Sequence, residues 1–160
     1  DAGVGTGRNM AYYPAGAEMV GVDLSTAMLK RAAARKQRTA TQVELVKADI
    51  TNTSFPDNSF DAVVSTFLFC VLAPKLQLPA LVELARICKP GGEIRILEYA
   101  ISANPVRRFV MRLWAPWVRF AYDAAFDPKT EQYLPTAGLR LIETRYLHGD
   151  IIKLLITRHA

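Results

Sequence analysis

Glycines and acids near the start of the chain have the residue types of a nucleotide site. Asp1, Gly3, Gly5 and Gly7 form the pattern DxGxGxG. Glycines spaced in this way let a chain turn tightly, so that backbone N–H groups approach a ligand and the next helix packs closely. A plain structural turn is the alternative. The spacing is GxGxG rather than the GxGxxG of dinucleotide sites, which favours a nucleoside without a pyrophosphate over NAD.

Two further acids end apolar segments. Asp23 closes EMVGVD, 16 residues after Gly7, and Asp49 lies near the end of VELVKADI. An acid at the tip of a strand can accept hydrogen bonds from both hydroxyls of a ribose. Each could instead be an ordinary helix-start or turn aspartate. Three successive strand tips that carry a glycine turn, an acid and an acid indicate a single ligand crevice.

Apolar periodicity predicts the elements that position these residues. Ser25 is a favourable N-cap for the first helix, and Pro90-Gly91-Gly92 predicts the end of the second. In chain order we expect a strand at 18–23, a helix at 25–37, strands at 43–50 and 61–68, a helix at 76–88, a strand at 93–99, a helix at 128–137 capped by Gly138, and strands at 140–147 and 151–158.

This order predicts an α/β fold of the Rossmann-like, doubly wound type with a mostly parallel sheet, because apolar strands separated by helices are covered on both faces. The last two strands predict a C-terminal antiparallel hairpin. A doubly wound sheet needs a strand that enters the glycine turn, yet the sequence begins at that turn. We therefore expect residues 1–160 to be a single domain, truncated at its N-terminus, whose first strand is missing.

The composition is that of a globular protein, with 51% hydrophobic and 22% charged residues. The longest uncharged stretch, 62–74, is too short to span a membrane. Cys70 and Cys88 form no CxxC pair, so we expect buried thiols in a reducing compartment. His148 and His159 are too few to predict a metal site. The net charge of +5 suits nucleic acid, anionic lipid or a nucleotide and does not choose between them.

Segment 104–126 combines aromatic and basic residues and predicts a helical insertion. On a helix, one face carries Phe109, Leu113, Trp117 and Phe120, and another carries Arg108, Arg112 and Arg119. Such a helix, kinked at Pro116, could lie on an anionic membrane surface. Alternatively it is a lid whose aromatic residues cover the substrate pocket or the core. Both interpretations favour an apolar or lipid-like substrate.

Together these motifs resemble the class I S-adenosylmethionine-dependent methyltransferases, specifically the small-molecule branch related to the enzymes of ubiquinone and menaquinone biosynthesis. DAGVGTG, VGVDLS and VKADI are similar to the first three motifs of that family. FPDNSFD is similar to the segment before its fourth strand, and CKPGG to the turn before its fifth. The resemblance covers nearly the whole chain, although Val4 departs from the small or polar residue of many relatives. It implies S-adenosyl-L-methionine as the cofactor.

The resemblance also implies roles for single residues. The turn at Gly3, Gly5 and Gly7 would pass beneath the methionine part of the cofactor, with Asp1 near its amino group. Asp23 would bind the ribose, Leu24 and the Ile50 backbone would meet the adenine, and Asp49 would accept from the adenine amino group. Ser65 and Thr66 would face the methyl-transfer site. The expected substrate-side residues are Thr66, Tyr12, Tyr13, Glu98, Trp114 and Trp117, and none of them is assigned as a catalytic base.

The GVGTG turn and the segment with aromatic residues and arginines resemble the bacterial phospholipid N-methyltransferases, ahead of lipid quinone and small thiol methyltransferases. Nucleic acid is disfavoured as a substrate, because Ser65-Thr66-Phe67-Leu68 stands where an Asn-Pro-Pro-Tyr-type tetrad would follow the fourth strand. The alternative is a domain that binds the cofactor without turnover, as a sensor or as a partner subunit. We expect a cytoplasmic protein in peripheral contact with an anionic membrane, of undetermined oligomeric state.

Overall fold

A computed structural model describes residues 1–39, 41–122 and 129–160, with side chains in the third helix as far as residue 117. The described strands are β1 Val20–Asp23, β2 Glu44–Lys47, β3 Phe60–Thr66, β4 Cys88–Tyr99, β5 Leu139–Leu147 and β6 Ile152–His159. The α-helices are α1 Thr26–Thr39, α2 Pro74–Ile87 and α3 Pro105–Tyr122, and short 3-10 turns occupy Arg8–Tyr12 and Thr130–Tyr133. Alternating strands and helices confirm the predicted α/β fold.

The strands form a mixed sheet in the order β2, β1, Ala2, β3, β4, β6, β5. β1 pairs with β2 and β3 pairs with β4 in parallel, whereas β6 runs antiparallel to both β4 and β5. The predicted C-terminal hairpin is therefore confirmed. Its turn, residues 148–150, has positive φ at all three positions.

The first two residues lie between β1 and β3 and join the two halves of the sheet. Ala2 donates its N–H to Val64, and Val22 donates to the carbonyl of Asp1. Gly3 then donates to Val22 at 2.9 Å, so the glycine turn starts at the carboxyl edge of the parallel strands. This is the edge at which ligands of open α/β sheets bind.

Two apolar clusters hold the layers together. The larger one packs α2 on the sheet and includes the fully buried Leu81, Leu84, Ile94, Ile96 and Leu155. The smaller one, which contains Val4, Met10, Ala32 and Val43, packs α1 against the other face. Each face of the sheet thus carries its own core, as the apolar strands predict.

Two strands end earlier than predicted, because a local backbone feature ends each of them. β2 ends at Lys47 rather than at Ile50, since the Asp49 side chain accepts the N–H and the hydroxyl of Thr51 and draws the chain into a turn. β3 ends at Thr66 rather than at Leu68, because Phe67 adopts a left-handed conformation with φ of 55°. Both corrections leave the predicted polar residues at the sheet edge.

The start of β4 also differs from the prediction. The strand begins at Cys88, immediately after α2, and not at Glu93. Its pairing with β3 is irregular at the first residues. A Cβ at Gly92 would lie 2.6 Å from the carbonyl oxygen of Asp61, so only glycine allows the strands to approach here.

The prediction of a helix at 128–137 is wrong in the length and the type of the helix. Only Thr130–Tyr133 forms a 3-10 turn, and Pro128 lies outside the described residues. Pro135 lacks the N–H that would continue an α-helix. The predicted cap at Gly138 is confirmed, because Leu139 donates to the carbonyl of Leu134 and Gly138 donates to that of Pro135, the pattern of a Schellman cap.

The predicted helical insertion corresponds to α3, which continues through Pro116. Asn104 caps its first turn by accepting the N–H groups of Val106 and Arg107. Residues 123–126 of the insertion and the side chains of Arg119 and Phe120 lie outside the described part of the chain. Within that part, none of the helices is long and apolar enough to cross a membrane.

Candidate functional site

The glycine turn and the first acid form one hydrogen-bonded unit. Gly3, Gly5 and Gly7 all have positive φ, which side-chain-bearing residues rarely adopt. The backbone N–H of Gly5 donates to Asp23 Oδ2 at 2.9 Å, and that of Ser25 donates to Oδ1 at 2.8 Å. A carboxylate has about four acceptor positions, so Asp23 keeps capacity for the hydroxyls of a ligand.

A cavity of about 210 Å³ lies beside this unit at the edge of the sheet. It brings together five residues that the sequence predicts for cofactor binding, namely Gly3, Asp23, Leu24, Asp49 and Ile50. Hydrogen bonds from Thr51 hold the pKa of Asp49 below its usual value, so this exposed carboxyl is an ionised acceptor.

The sequence did not predict the leucine-rich part of the lining of the same cavity. It includes Leu68 and Leu72, which follow β3, and Leu76, which lies in the first turn of α2. Their spacing of four residues places leucines on one side of a helical path, and that periodicity is the signal that could have identified them. A polar rim facing an apolar wall suits a nucleoside, whose base is flat and apolar and whose ribose carries hydroxyls.

Asp1 lies at the other end of the glycine turn in a partly buried polar cluster. Its Oδ2 accepts hydrogen bonds from Asn9 Nδ2 at 3.0 Å and from the Tyr13 hydroxyl at 2.7 Å. Its Oδ1 is buried and has no hydrogen-bond partner among the described residues. A buried carboxylate oxygen without a donor is costly unless a ligand supplies one, so this atom suits an ammonium group.

A second cavity, of about 510 Å³, adjoins this cluster. Its lining includes Tyr12, Tyr13 and Thr66, which the sequence predicts on the substrate side, together with Asn9 and with Asp1, which it predicts near the amino group of the cofactor. Burial raises the pKa of Tyr13 to about 12, so its phenol stays protonated and acts as a donor at neutral pH. Tyr12 is 86% exposed at the rim.

Ser65 and Thr66 do not share one surface. They are successive residues of β3, so their side chains point to opposite faces of the sheet. Thr66 Oγ1 accepts from Asn9 Nδ2 at 2.9 Å. Ser65 is fully buried, and its hydroxyl has no partner within the described ranges.

Glu98 lies away from both cavities, inside the protein. It is fully buried, accepts the Thr130 hydroxyl at 2.7 Å, and has Lys153 Nζ 3.1 Å from its other oxygen. Lys153 also contacts Glu131 at 2.6 Å. Burial raises the pKa of Glu98 to about 7. This arrangement indicates a buried charge cluster between β4, β6 and the 3-10 turn.

The two tryptophans also lie outside both cavities. Trp114 and Trp117 meet edge to face on α3, with ring centroids 5.9 Å apart, and each is about half exposed. Both cysteines are buried and free, as expected, and burial raises the pKa of the Cys70 thiol to about 11. Of the residues that the sequence predicts around the cofactor and the substrate, Glu98, Trp114 and Trp117 therefore line neither cavity.

Comparison with known proteins agrees with this geometry. The family model described as "Methyltransferase domain" matches residues 1–96. A demethylmenaquinone methyltransferase from Clavibacter sepedonicus is 40% identical over 175 residues, covering 96% of this chain and 70% of that protein. A phosphatidylethanolamine N-methyltransferase from Cereibacter sphaeroides is 34% identical over 101 residues, covering 62% of this chain and 49% of that protein.

Solved structures share the fold at low sequence identity. A methyltransferase dependent on S-adenosylmethionine from Methanosarcina mazei has a TM-score of 0.78 and 18% identity, covering 99% of this chain and 90% of that one. The cyclase SpnF has a TM-score of 0.76 and 16% identity, covering 99% of this chain and 73% of that one. A methyltransferase and a cyclase thus share this fold, so the fold alone does not identify the chemistry, and the sequence relatives do. The chain therefore belongs to the methyltransferase-domain family, and within it to the methyltransferases that depend on S-adenosylmethionine.

Proposed function

We propose that residues 1–160 are one methyltransferase domain that transfers a methyl group from S-adenosylmethionine to a lipid-like acceptor at a membrane surface. The observation that carries the lipid part is the outward face of α3. Val106, Phe109, Val110, Leu113 and Trp117 recur at helical spacing on one side of this helix, and all five are exposed. An exposed apolar stripe of this kind marks an interaction surface.

The rest of α3 supports the same orientation. Arg108, Met111 and Ala115 are partly buried and lie on the opposite side, so the helix contacts the protein through its less apolar face. Its N-terminus is tied to the hairpin turn, because Arg107 donates to the carbonyl of Gly149 at 2.7 Å. The apolar stripe is therefore presented outwards while the start of the helix is fixed.

The charge of α3 indicates the kind of surface. Its 18 residues include four arginines and no acid. Arg107 and Arg112 flank the apolar stripe on its two sides, and the side chain of Arg112 is exposed. Each cation near an anionic lipid surface contributes about 1 kcal/mol. We therefore propose that this face of α3 binds an anionic membrane, and that the protein lies on the cytoplasmic side of that membrane.

Two lipid classes are the leading substrates. The GVGTG turn and the segment 104–126, with its aromatic residues and arginines, favour a phospholipid amine. This agrees with the name of the Cereibacter relative. The Clavibacter relative, named for demethylmenaquinone, matches 96% of the chain and so includes α3 and the hairpin, which supports a lipid quinone. A small thiol is a third candidate, but the apolar face of α3 gives no support for it.

The residues of the two cavities would bind and orient the reactants. S-Adenosylmethionine, when bound, supplies a methyl group on a sulfonium that is already activated for transfer. Asp23 and Asp49 would accept from the ribose and the adenine, Leu24 and Ile50 would contact the base, and Asp1 would hold the ammonium group. Thr66 and Tyr12 line the cavity in which the acceptor would lie.

The chemical step needs alignment and exclusion of water more than acid or base catalysis. The acceptor's electron pair forms the new bond to the methyl carbon as the carbon–sulfur bond breaks, and an acceptor that carries a proton releases it to water. Tyr13, with its raised pKa, is a donor and not a base.

Methyl transfer from labelled S-adenosylmethionine tests the proposal directly. Vesicles of phosphatidylcholine and phosphatidylglycerol would carry demethylmenaquinone, phosphatidylethanolamine or no further lipid. Label in one of the two substrate lipids supports the proposal and identifies the class. Binding of the cofactor without transfer to either lipid favours the alternative of a non-catalytic S-adenosylmethionine-binding domain.

A pair of variants tests the membrane surface. We expect Leu113→Glu to abolish co-flotation with anionic vesicles, whereas Val82→Glu, at an exposed site on α2, retains it. Leu113→Glu should keep its transfer to a short-chain substrate dispersed in detergent, because the residue lies outside both cavities. Equal flotation of the two variants would contradict the role of α3.

A further inference from the structure

Asn9 contacts both Asp1 and Thr66 through a single side chain. Its Nδ2 lies 3.0 Å from Asp1 Oδ2 and 2.9 Å from Thr66 Oγ1, although Thr66 is 57 residues away in sequence. An amide nitrogen carries two hydrogens, so it can donate one to each oxygen. Asn9 is thereby placed between the acid of the glycine turn and the hydroxyl at the tip of β3.

The direction of these hydrogen bonds follows from the partners. An ionised carboxylate only accepts, so the nitrogen end of the Asn9 amide must face Asp1. The same nitrogen then donates to Thr66, whose oxygen accepts. The proton of the Thr66 hydroxyl is left to point elsewhere, and Thr66 lines the 510 Å³ cavity. Thr66 can therefore donate a hydrogen bond to a molecule in that cavity.

A second donor acts on the same carboxylate oxygen. The Tyr13 hydroxyl donates to Asp1 Oδ2 at 2.7 Å and stays protonated at neutral pH. Both donors thus occupy Oδ2, while Oδ1 is buried without a partner among the described residues. Two donors on one oxygen fix the rotation of the carboxyl group, which leaves Oδ1 in a defined position for a cationic ligand.

We propose that Asn9, assisted by Tyr13, is a positioning residue that fixes Asp1 for the ammonium group of S-adenosylmethionine and sets the Thr66 hydroxyl as a donor to the methyl acceptor. The first half of this proposal, which concerns Asp1, needs only cofactor binding. The second half, which concerns Thr66, rests on the proposed methyl transfer. In the sequence, Asn9 is one polar residue after Gly7-Arg8, and nothing in its spacing points to either partner.

A pair of ligands isolates the first half. S-Adenosylhomocysteine carries the ammonium group, whereas 5′-methylthioadenosine has the same nucleoside without the amino-acid part. We expect Asn9→Ala to weaken S-adenosylhomocysteine about tenfold, the scale of one lost charge-assisted hydrogen bond, and to leave 5′-methylthioadenosine within about twofold. Titration calorimetry measures both affinities.

Two further variants complete the design. Tyr13→Phe keeps the ring and removes one donor, so it should shift the affinity ratio in the same direction by a smaller factor, even if Asn9→Ala folds poorly. Arg8→Ala, an exposed change on the same 3-10 turn, should leave the ratio unchanged. Equal weakening of both ligands in Asn9→Ala and Tyr13→Phe, or no weakening of either, would overturn the inference.

The second half is read from steady-state kinetics on the acceptor lipid. With the cofactor saturating, Asn9→Ala should lower kcat more than it raises the acceptor KM, because a misdirected Thr66 hydroxyl affects alignment. A wild-type chain that binds S-adenosylhomocysteine yet transfers no methyl group would overturn the proposed function and the Thr66 half, but not the Asp1 half. A wild-type chain that binds neither ligand would overturn both.

Discussion

Asp23 accepts the backbone N–H of Gly5 at 2.9 Å, across 18 residues of sequence. The acid at the tip of β1 therefore holds the glycine turn in place as well as facing the cavity of about 210 Å³. A single carboxylate thus shapes the loop and offers acceptors to the ligand that the loop surrounds.

Replacement of Asp23 should weaken cofactor binding for both reasons. We expect Asp23→Ala to cost roughly 1–3 kcal/mol in S-adenosylhomocysteine affinity, the range for a lost partner of buried donors. Asp23→Asn keeps one acceptor oxygen and should cost less. Titration calorimetry measures the difference, with the melting temperature recorded to separate unfolding from lost contacts. Unchanged affinity in Asp23→Ala would refute the ribose assignment.

The sequence predicts the alternation of strands and helices and the cofactor edge because both depend on local patterns. Apolar runs separated by helical stretches determine a parallel sheet, and Asp23 and Asp49 follow such runs directly. The ends of elements were less predictable, since Phe67 leaves β3 through a left-handed backbone and Pro135 interrupts the helix expected at 128–137. Both features arise from single residues within otherwise favourable patterns.

Contacts between distant residues could not be predicted. Asn9 reaches Thr66 across 57 residues, and only the packing of the first 3-10 turn on the sheet brings them together. Glu98 was expected near the substrate because it ends a strand. Its position directly opposite Lys153 depends on the register of β4 and β6, which no short pattern in the sequence specifies.

Acid should destabilise the protein through Glu83. The guanidinium of Arg86, followed by donors of Thr53, lowers the pKa of this buried carboxyl from 4.5 to about 2. A depressed pKa stabilises the fold above pH 4.5, and this contribution is lost as the pH falls towards 2. Glu83→Gln should lower the free energy of unfolding by about 1–3 kcal/mol at pH 7 and flatten its decline in that window.

A matched exposed pair provides the control for Glu83. Arg145 Nε donates a hydrogen bond to Glu143 Oε1 at 2.6 Å on the surface of β5, where both side chains are well exposed. Surface pairs contribute about 0–1 kcal/mol, so Glu143→Gln should change stability little. Urea denaturation at several pH values compares the two variants. An equal loss in both would show that burial of Glu83 is not the cause.

A rise in pH through 7 should destabilise the protein through Glu98, the reverse of the effect of acid through Glu83. Burial raises its pKa from 4.5 to about 7, so the folded state holds a proton that the unfolded chain has released between these values. The stabilisation from this group is therefore present below pH 4.5 and is lost as the pH rises through 7. Glu98→Gln should reduce the fall in the free energy of unfolding between pH 5 and pH 8.

Lys153→Met should change the same pH dependence in the other direction. It removes the cation 3.1 Å from Glu98, so ionised Glu98 would be buried without that partner. We expect a larger loss of stability at pH 8 than at pH 5, because the neutral carboxyl tolerates burial. The double variant with Glu98→Gln should recover most of the loss at pH 8. Chemical denaturation at the two pH values distinguishes these outcomes from a simple packing defect.

Asp150 should control how firmly α3 is attached. Its carboxylate accepts the Ser102 hydroxyl at 2.8 Å and the N–H of Ala103 at 2.8 Å, which joins the hairpin turn to the chain just before the helix. Its φ of 72° suits asparagine but strains alanine, so Asp150→Asn is the informative change. We expect amide exchange in residues 106–110 to accelerate about tenfold with little change in melting temperature, because only local contacts are lost. Asp61→Asn, an exposed acid paired with Lys89, serves as the control and should leave that exchange unchanged. Equal exchange in wild type and Asp150→Asn would show that α3 is held by its packing alone and not by the turn.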